Sequence, residues 1–325
     1  MFWLVVSFIA LGLLIVAAGT VLAYSGDHIG EHTRLGRSLA GVILLAGATS
    51  LPELMVGWSA VRIGNVDLTL GDLLGSCLMN LLILGLLDLF TRSPKRMLSP
   101  SAAAHALSAN VTIVLAAVIL LGLLLKSERV FLRLAPISWG LFLIYLFGIR
   151  LIHINQRVAA SQDDEESSGR PRLRLATICY LLSAAVIVLA APPLARTAEA
   201  LAEKTGLGSM FFGTVFVAIV TSLPELVATI TAIRIGAIEL AVGNIFGSNS
   251  FNLLIVGIID FANPEPITAA ASGTHVVTAA AVIATTAVAS LGLLYRAEKR
   301  WFFIEPDAAL LITMVLGSLY LVSQF

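Results

Sequence analysis

The hexapeptide TSLPEL occurs twice, at 49–54 and 221–226, each time inside an apolar stretch, so Pro52 stands beside Glu53 and Pro224 beside Glu225. A proline inside a membrane helix removes a backbone donor and frees carbonyls upstream of it. A charged carboxylate at the bilayer centre costs at least about 2.5 to 3.5 kcal/mol on insertion scales. Loose carbonyls near Ala46 to Thr49 and near Ala218 to Thr221, next to Glu53 and Glu225, are the ingredients of a cation site.

A second motif follows each copy, GDLLGSCLMN at 71–80 and GNIFGSNSFN at 243–252. Asp72, Ser76 and Asn80 are spaced i, i+4, i+8, as are Asn244, Ser248 and Asn252, so each trio lines one helix face. The candidate ligands are Glu53, Glu225, Asn80, Asn252, Ser50, Ser222, Ser76 and Ser248, with carbonyls at Ala46, Thr49, Ala218 and Thr221. These are hard oxygen donors without Cys or His, a set that suits Ca²⁺ or Na⁺ rather than Zn²⁺ or Cu. Two ionised glutamates are neutralised by one Ca²⁺, two Na⁺ or two protons, and burying them empty is expensive. A protein built this way crosses between its two open states only when loaded, which is the requirement for exchange rather than leak.

The elements that must carry these residues are membrane spans. The chain has 325 residues, 58% hydrophobic and 12% charged, with a mean hydropathy of +0.96, whereas soluble domains carry about 25% charged residues. Ten apolar segments follow from length and hydropathy, at 2–24, 37–61, 68–90, 101–125, 134–154, 175–195, 208–233, 238–261, 272–294 and 306–323. The first fits a transmembrane helix rather than a cleaved signal peptide. Lys and Arg total 20, as do Asp and Glu, which gives no basic bias toward nucleic acid. Placing the basic residues on alternate sides splits them about 14 to 6. The positive-inside rule then puts both termini outside and the polar linker 155–174 in the cytoplasm. Cys77 and Cys179 read as small packing residues, His105 and His275 as inherited packing, and Asp88 and Asp260 as interfacial helix ends.

The two hexapeptides are 172 residues apart, and at that offset about 25 of the 57 positions from 33 to 89 are identical. The chain is an internal duplication, with one repeat at 1–154 and the other at 175–325. Five spans per repeat is an odd number, so the second copy enters the membrane from the opposite side. The expected fold is therefore an all-α membrane protein of ten transmembrane helices in two inverted five-helix repeats, an architecture of secondary transporters.

The motifs TSLPE and GNxxGSxxxN resemble those of the sodium/calcium exchanger branch of the cation/calcium exchanger superfamily, over roughly 33–90 and 205–262. The resemblance implies exchange of Ca²⁺ for Na⁺, with Glu53 and Glu225 as shared central carboxylates and Ser50, Ser222, Ser76, Ser248, Asn80 and Asn252 around them. It also implies that the first and sixth spans slide against the other eight. The superfamily's proton-coupled members usually carry GNxxE in place of TSLPE, so the resemblance favours Na⁺. Asp72 departs from it, standing where the family motif has Asn, and so does Cys77, opposite Asn249 of the second repeat. Asp72 could add a third charge to the site or take a proton. Proton-coupled export of Ca²⁺, Mn²⁺ or Mg²⁺ is the alternative reading, and a passive cation channel a weaker one. No HExxH, GxSxG or paired-aspartate motif points to an enzyme, and no cofactor is expected beyond the transported cations. The bilayer and small inorganic cations are the partners, a monomer is compatible with the sequence, and the absence of a large regulatory domain points to a prokaryotic plasma membrane.

Overall fold

The structure, a computed structural model, describes residues 1–33, 35–91, 105–160, 173–205, 219–295 and 306–322. The expected Ala218 site and most of the linker lie outside them.

The described residues are almost wholly helical. Helix α1 spans Phe2–His32. The second span is divided into α2 (Gly36–Leu39), a π-helical turn (Ala40–Leu45), α3 (Ala46–Thr49) and α4 (Leu51–Arg62). Then come α5 (Val66–Phe90), α6 (Ala106–Leu125), α7 (Pro136–Ala160) and α8 (Leu173–Thr205). The second repeat continues with α9 (Leu223–Arg234), α10 (Ile238–Asp260), the single turn α11 (Ile267–Ala270), α12 (Thr274–Tyr295) and α13 (Pro306–Val322). Seven of these helices are long and apolar enough to span a bilayer, and the bent pair on either side of Ser50 makes an eighth. The 17-residue α13 and the 12-residue α9, the described part of the 208–233 segment, occupy the remaining two expected positions.

Several helices outrun the apolar segments that foretell them. Helix α1 continues past residue 24 through Asp27 and Glu31, because Arg37 of α2 pairs with both: its Nε donates to Asp27 Oδ1 at 2.7 Å, and Glu31 also contacts the guanidinium. Helix α8 runs on through Pro192 and Pro193 to Thr205.

The duplication is visible in the backbone. Helices α4 and α9 both have 12 residues and both follow a serine, Ser50 (φ −93°, ψ 3°) or Ser222 (φ −81°, ψ 9°), that lies off the helical minimum. Each proline therefore sits in the first turn of a new helix, where its missing N–H is least costly. The turns into α5 and α10 use Gly64 at φ +80° and Gly236 at φ +81°, conformations open to glycine at little cost. Contacts repeat likewise: α1 packs on α9 and α8 on α4, α5 on α13 and α10 on α7, and α6 on α12.

Helices α5 and α10 are the most enclosed spans, and α1 the least. The main apolar core surrounds α5 and α10, while α1 and α8 share a separate cluster built on Ile15, Leu22, Ile187 and Leu194. Small residues let the broken second span approach α10 backbone to backbone. A Cβ at Gly247 would lie 2.6 Å from the Val42 carbonyl, and one at Gly41 2.5 Å from that of Leu240.

Both aspartates expected at helix ends are buried inside the protein. Asp260 is the last residue of α10. Its Oδ2 accepts from Ala135 N (2.8 Å) and Ser138 Oγ (2.7 Å), and Oδ1 accepts from Ile267 N (2.8 Å), so one carboxylate ties the starts of α7 and α11 to the end of α10. Asp88, its counterpart, is also buried, whereas Cys179 is only half-buried.

Gly247→Val should destabilise the protein by about 1–3 kcal/mol or more through overpacking, whereas Gly12→Val, with nothing near its Cβ, should have little effect. Thermal unfolding of the two purified variants in detergent checks the difference.

Candidate functional site

The bend of 42° at Ser50 places the end of α3 and the start of α4 at mid-span, where α9, α5 and α10 also meet. Pro52 cannot donate to the carbonyl four residues back, at Ala48. The Ala46 carbonyl, expected to be loose, accepts from Ser50 N at 3.0 Å and weakly from Thr49 Oγ1 at 3.4 Å. Upstream, the Leu44 carbonyl of the π turn accepts from Tyr180 Oη of α8 at 2.9 Å, so a polar contact joins the peripheral pair to the broken span.

Glu53 and Glu225 are 2% and 1% exposed. Ser50, Ser222, Ser76, Ser248, Asn80, Asn252 and Thr49 are also buried. Hydrogen bonds cross between the repeats: Ser50 Oγ donates to Glu225 Oε1 at 3.4 Å, and the Thr49 and Ser248 hydroxyls lie 3.3 Å apart. Sequence reasoning left Asn249 out of the site because it lies one residue off the Ser248 face. Its Oδ1 accepts from Asn80 Nδ2 (3.0 Å) and its Nδ2 donates to the Cys77 carbonyl (3.1 Å), so it fixes which atom of Asn80 is presented. The mismatch of Cys77 with Asn249 in the repeat alignment was the available signal.

Six oxygens of the candidate residues are buried without a hydrogen-bond partner: Glu53 Oε1 and Oε2, Glu225 Oε2, Asn80 Oδ1, Asn252 Oδ1 and Ser222 Oγ. Buried acceptors are normally paired, and a cation satisfies many at once. Among the described residues no three of His, Cys, Asp and Glu are grouped to hold a metal ion. A cation here would draw on two carboxylates and on neutral oxygens, the hard donor set of Ca²⁺ or Na⁺.

Asp72 stands apart. It shares a small cavity, about 10 Å³, with Pro52, Glu53, Ala191, Ala195 and Thr221, which is about the room of one water-sized particle. Its counterpart Asn244 is instead tied to α9, donating to Thr229 Oγ1 at 3.0 Å and to the Glu225 carbonyl at 3.4 Å. The two histidines also differ: His275 Nε2 lies 3.0 Å from Asp67 Oδ1, while both ring nitrogens of the buried His105 have no partner.

The sodium/calcium exchanger protein model matches residues 3–151 and 175–324. The chain belongs to the sodium/calcium exchanger family. It is accordingly a multi-pass membrane transporter of an exchanger family. Among relatives, CaxA of Alkalimonas amylolytica, whose name marks it as an antiporter, is 29% identical over 97% of both chains. The sodium/calcium exchanger MaX1 of Methanosarcina acetivorans is 41% identical over 76 residues, 23% of this chain and 22% of its own. The solved structure of the sodium-calcium exchanger NCX_Mj superposes with a TM-score of 0.71 at 18% identity, covering 98% of each chain. That likeness bears out the ten-helix, two-repeat fold expected of an exchanger of this family.

Asn249→Ala should remove two buried hydrogen bonds, at a net cost of roughly 1 kcal/mol each, and free the Asn80 amide to rotate. The expected result is a folded protein with a lower melting temperature and a smaller thermal shift on adding Ca²⁺, both read by differential scanning fluorimetry.

Proposed function

We propose that the protein is a secondary active antiporter that exchanges Ca²⁺ for Na⁺ by alternating access. The observation that carries this reading is the set of six buried, unpartnered oxygens contributed by both repeats, those of Glu53 and Glu225 among them. Ca²⁺ takes six to eight oxygens, and either one Ca²⁺ or two Na⁺ neutralise the pair of carboxylates. The names of MaX1 and NCX_Mj point to the same ions for those proteins.

In this reading Glu53 and Glu225 bind the cargo, Ser50, Ser222, Ser76, Ser248, Asn80 and Asn252 complete its shell, and carbonyls from Thr49, Thr221, Ala46 and Ala218 contribute. Helices α1 and α8 move together against the rest. Their separate apolar cluster supports this, and so does an asymmetry between the halves. A Cβ at Gly19 of α1 would lie 3.0 Å from Val227 Cγ1 and 3.7 Å from the Pro224 carbonyl, so α1 is packed onto α9. Around Ala191 of α8, the counterpart of Gly19, lies the cavity next to Glu53. The counterpart positions on α1 and α8 are therefore packed differently. The termini face outside, 155–174 is cytoplasmic, and the protein sits in the plasma membrane.

Glu53→Gln and Glu225→Gln should each reduce ⁴⁵Ca²⁺ exchange in proteoliposomes to background while the protein stays folded, since either leaves one carboxylate to balance a divalent ion. Normal exchange by either variant would show the site assignment to be wrong.

A further inference from the structure

Away from the ion centre, the end of α1 carries two imidazoles one helical turn apart. Residues 28–32 read HIGEH, with His28 and His32 at i and i+4, the spacing that puts two side chains on one face of a helix. Their ring centroids lie 4.1 Å apart, with the ring planes tilted by 38°. Two zinc–nitrogen bonds of about 2.0–2.1 Å at a tetrahedral ion need nitrogens roughly 3.3 Å apart, and rings this close can supply that separation.

The hydrogen bonding leaves one nitrogen of each ring to a ligand. His32 Nδ1 lies 2.9 Å from the His28 carbonyl. A carbonyl only accepts, so Nδ1 carries the proton and the lone pair of the neutral ring is on Nε2, the arrangement found in metal-ligating histidines. His28 Nε2 is buried without a hydrogen-bond partner, a state that buried polar atoms rarely keep.

The surroundings favour a divalent cation. Asp27 and Glu31 both pair with Arg37, and two carboxylates against one guanidinium leave one net negative charge beside the imidazoles. Gly30, between the two histidines, holds this turn against α2: a Cβ there would lie 3.0 Å from Ala40 Cβ and 3.2 Å from Arg37 Cα. The second repeat keeps the acids but not the imidazoles. At the 172-residue offset Glu199 and Glu203 match Asp27 and Glu31, whereas Ala200 and Lys204 match His28 and His32.

We propose that His28 and His32 chelate one late first-row divalent ion, of the class of Zn²⁺ and Cu²⁺, with water completing its shell. Imidazole nitrogen suits these ions rather than Ca²⁺ or Na⁺, and the oxygen set around Glu53 and Glu225 has the opposite preference. The site is therefore separate from the path of the cargo and does not depend on which ions are exchanged.

The test is equilibrium binding of ⁶⁵Zn²⁺ to the full chain in detergent, purified without a polyhistidine tag and with Ca²⁺ saturating, for wild type, His28→Gln and His32→Gln. The wild type should bind about one Zn²⁺ per chain. Each variant should bind it at least about tenfold more weakly, because each removes half of the chelate, while ⁴⁵Ca²⁺ binding stays unchanged. A wild type that binds no Zn²⁺, or variants that bind it as the wild type does, would overturn the proposal. Loss in only one of the two variants, the mark of a lone surface imidazole, would overturn it as well. Should either variant fail to fold, Cu²⁺ bound to the wild type decides: its electron paramagnetic resonance spectrum should show two imidazole nitrogens, and one or none would contradict the chelate.

Discussion

Two carboxylates buried at the centre of a membrane bundle are the constraint around which the rest of the molecule is organised. Glu53 and Glu225 are almost wholly buried, and the Ser50 hydroxyl donates to Glu225 only at the long distance of 3.4 Å. An uncompensated charge in such a place is far costlier than any one packing defect. The polar residues of α5 and α10 are therefore confined to the two most enclosed spans, and the glutamates stand in the first turn of broken helices, where backbone dipoles favour negative charge. Exchange follows from the same constraint, because a bundle that cannot close empty must close around a cation.

Helix packing serves that centre. Glycines at 41, 243 and 247 let two backbones touch, which brings the broken span and α10 close enough for the Thr49 and Ser248 hydroxyls to meet across the repeats. The π turn displaces the register just before the break, and Tyr180 takes up one of its carbonyls. Around this frame, α1 and α8 pack mainly on each other. The molecule thus has a main apolar core around α5 and α10 and a second cluster shared by α1 and α8.

Much of this was legible in the sequence because duplication leaves an explicit record. The 172-residue offset located both glutamates, both serine pairs and both asparagines, and an odd number of spans per copy required inversion. What the sequence concealed lies where a local rule was overruled by a distant partner. Hydropathy ended the first span at 24, yet Arg37 stabilises its charged extension to His32. Asp260 read as a helix end because it is charged and terminal, but its burial depends on three donors, two of them from Ala135 and Ser138 of the other repeat. Asn249 was passed over because helical periodicity put it off the ligand face, whereas its role depends on a residue in the other repeat. Asp72 was visible as a departure from the motif, but only the fold shows that it shares a space with Glu53.

The central claim is that a Na⁺ gradient drives Ca²⁺ through this site. It is tested most directly by ⁴⁵Ca²⁺ uptake into proteoliposomes, comparing an outward Na⁺ gradient with an outward proton gradient at matched osmolarity. The account predicts uptake with the Na⁺ gradient and none with protons alone. Uptake driven only by protons, or none with either gradient, would contradict it.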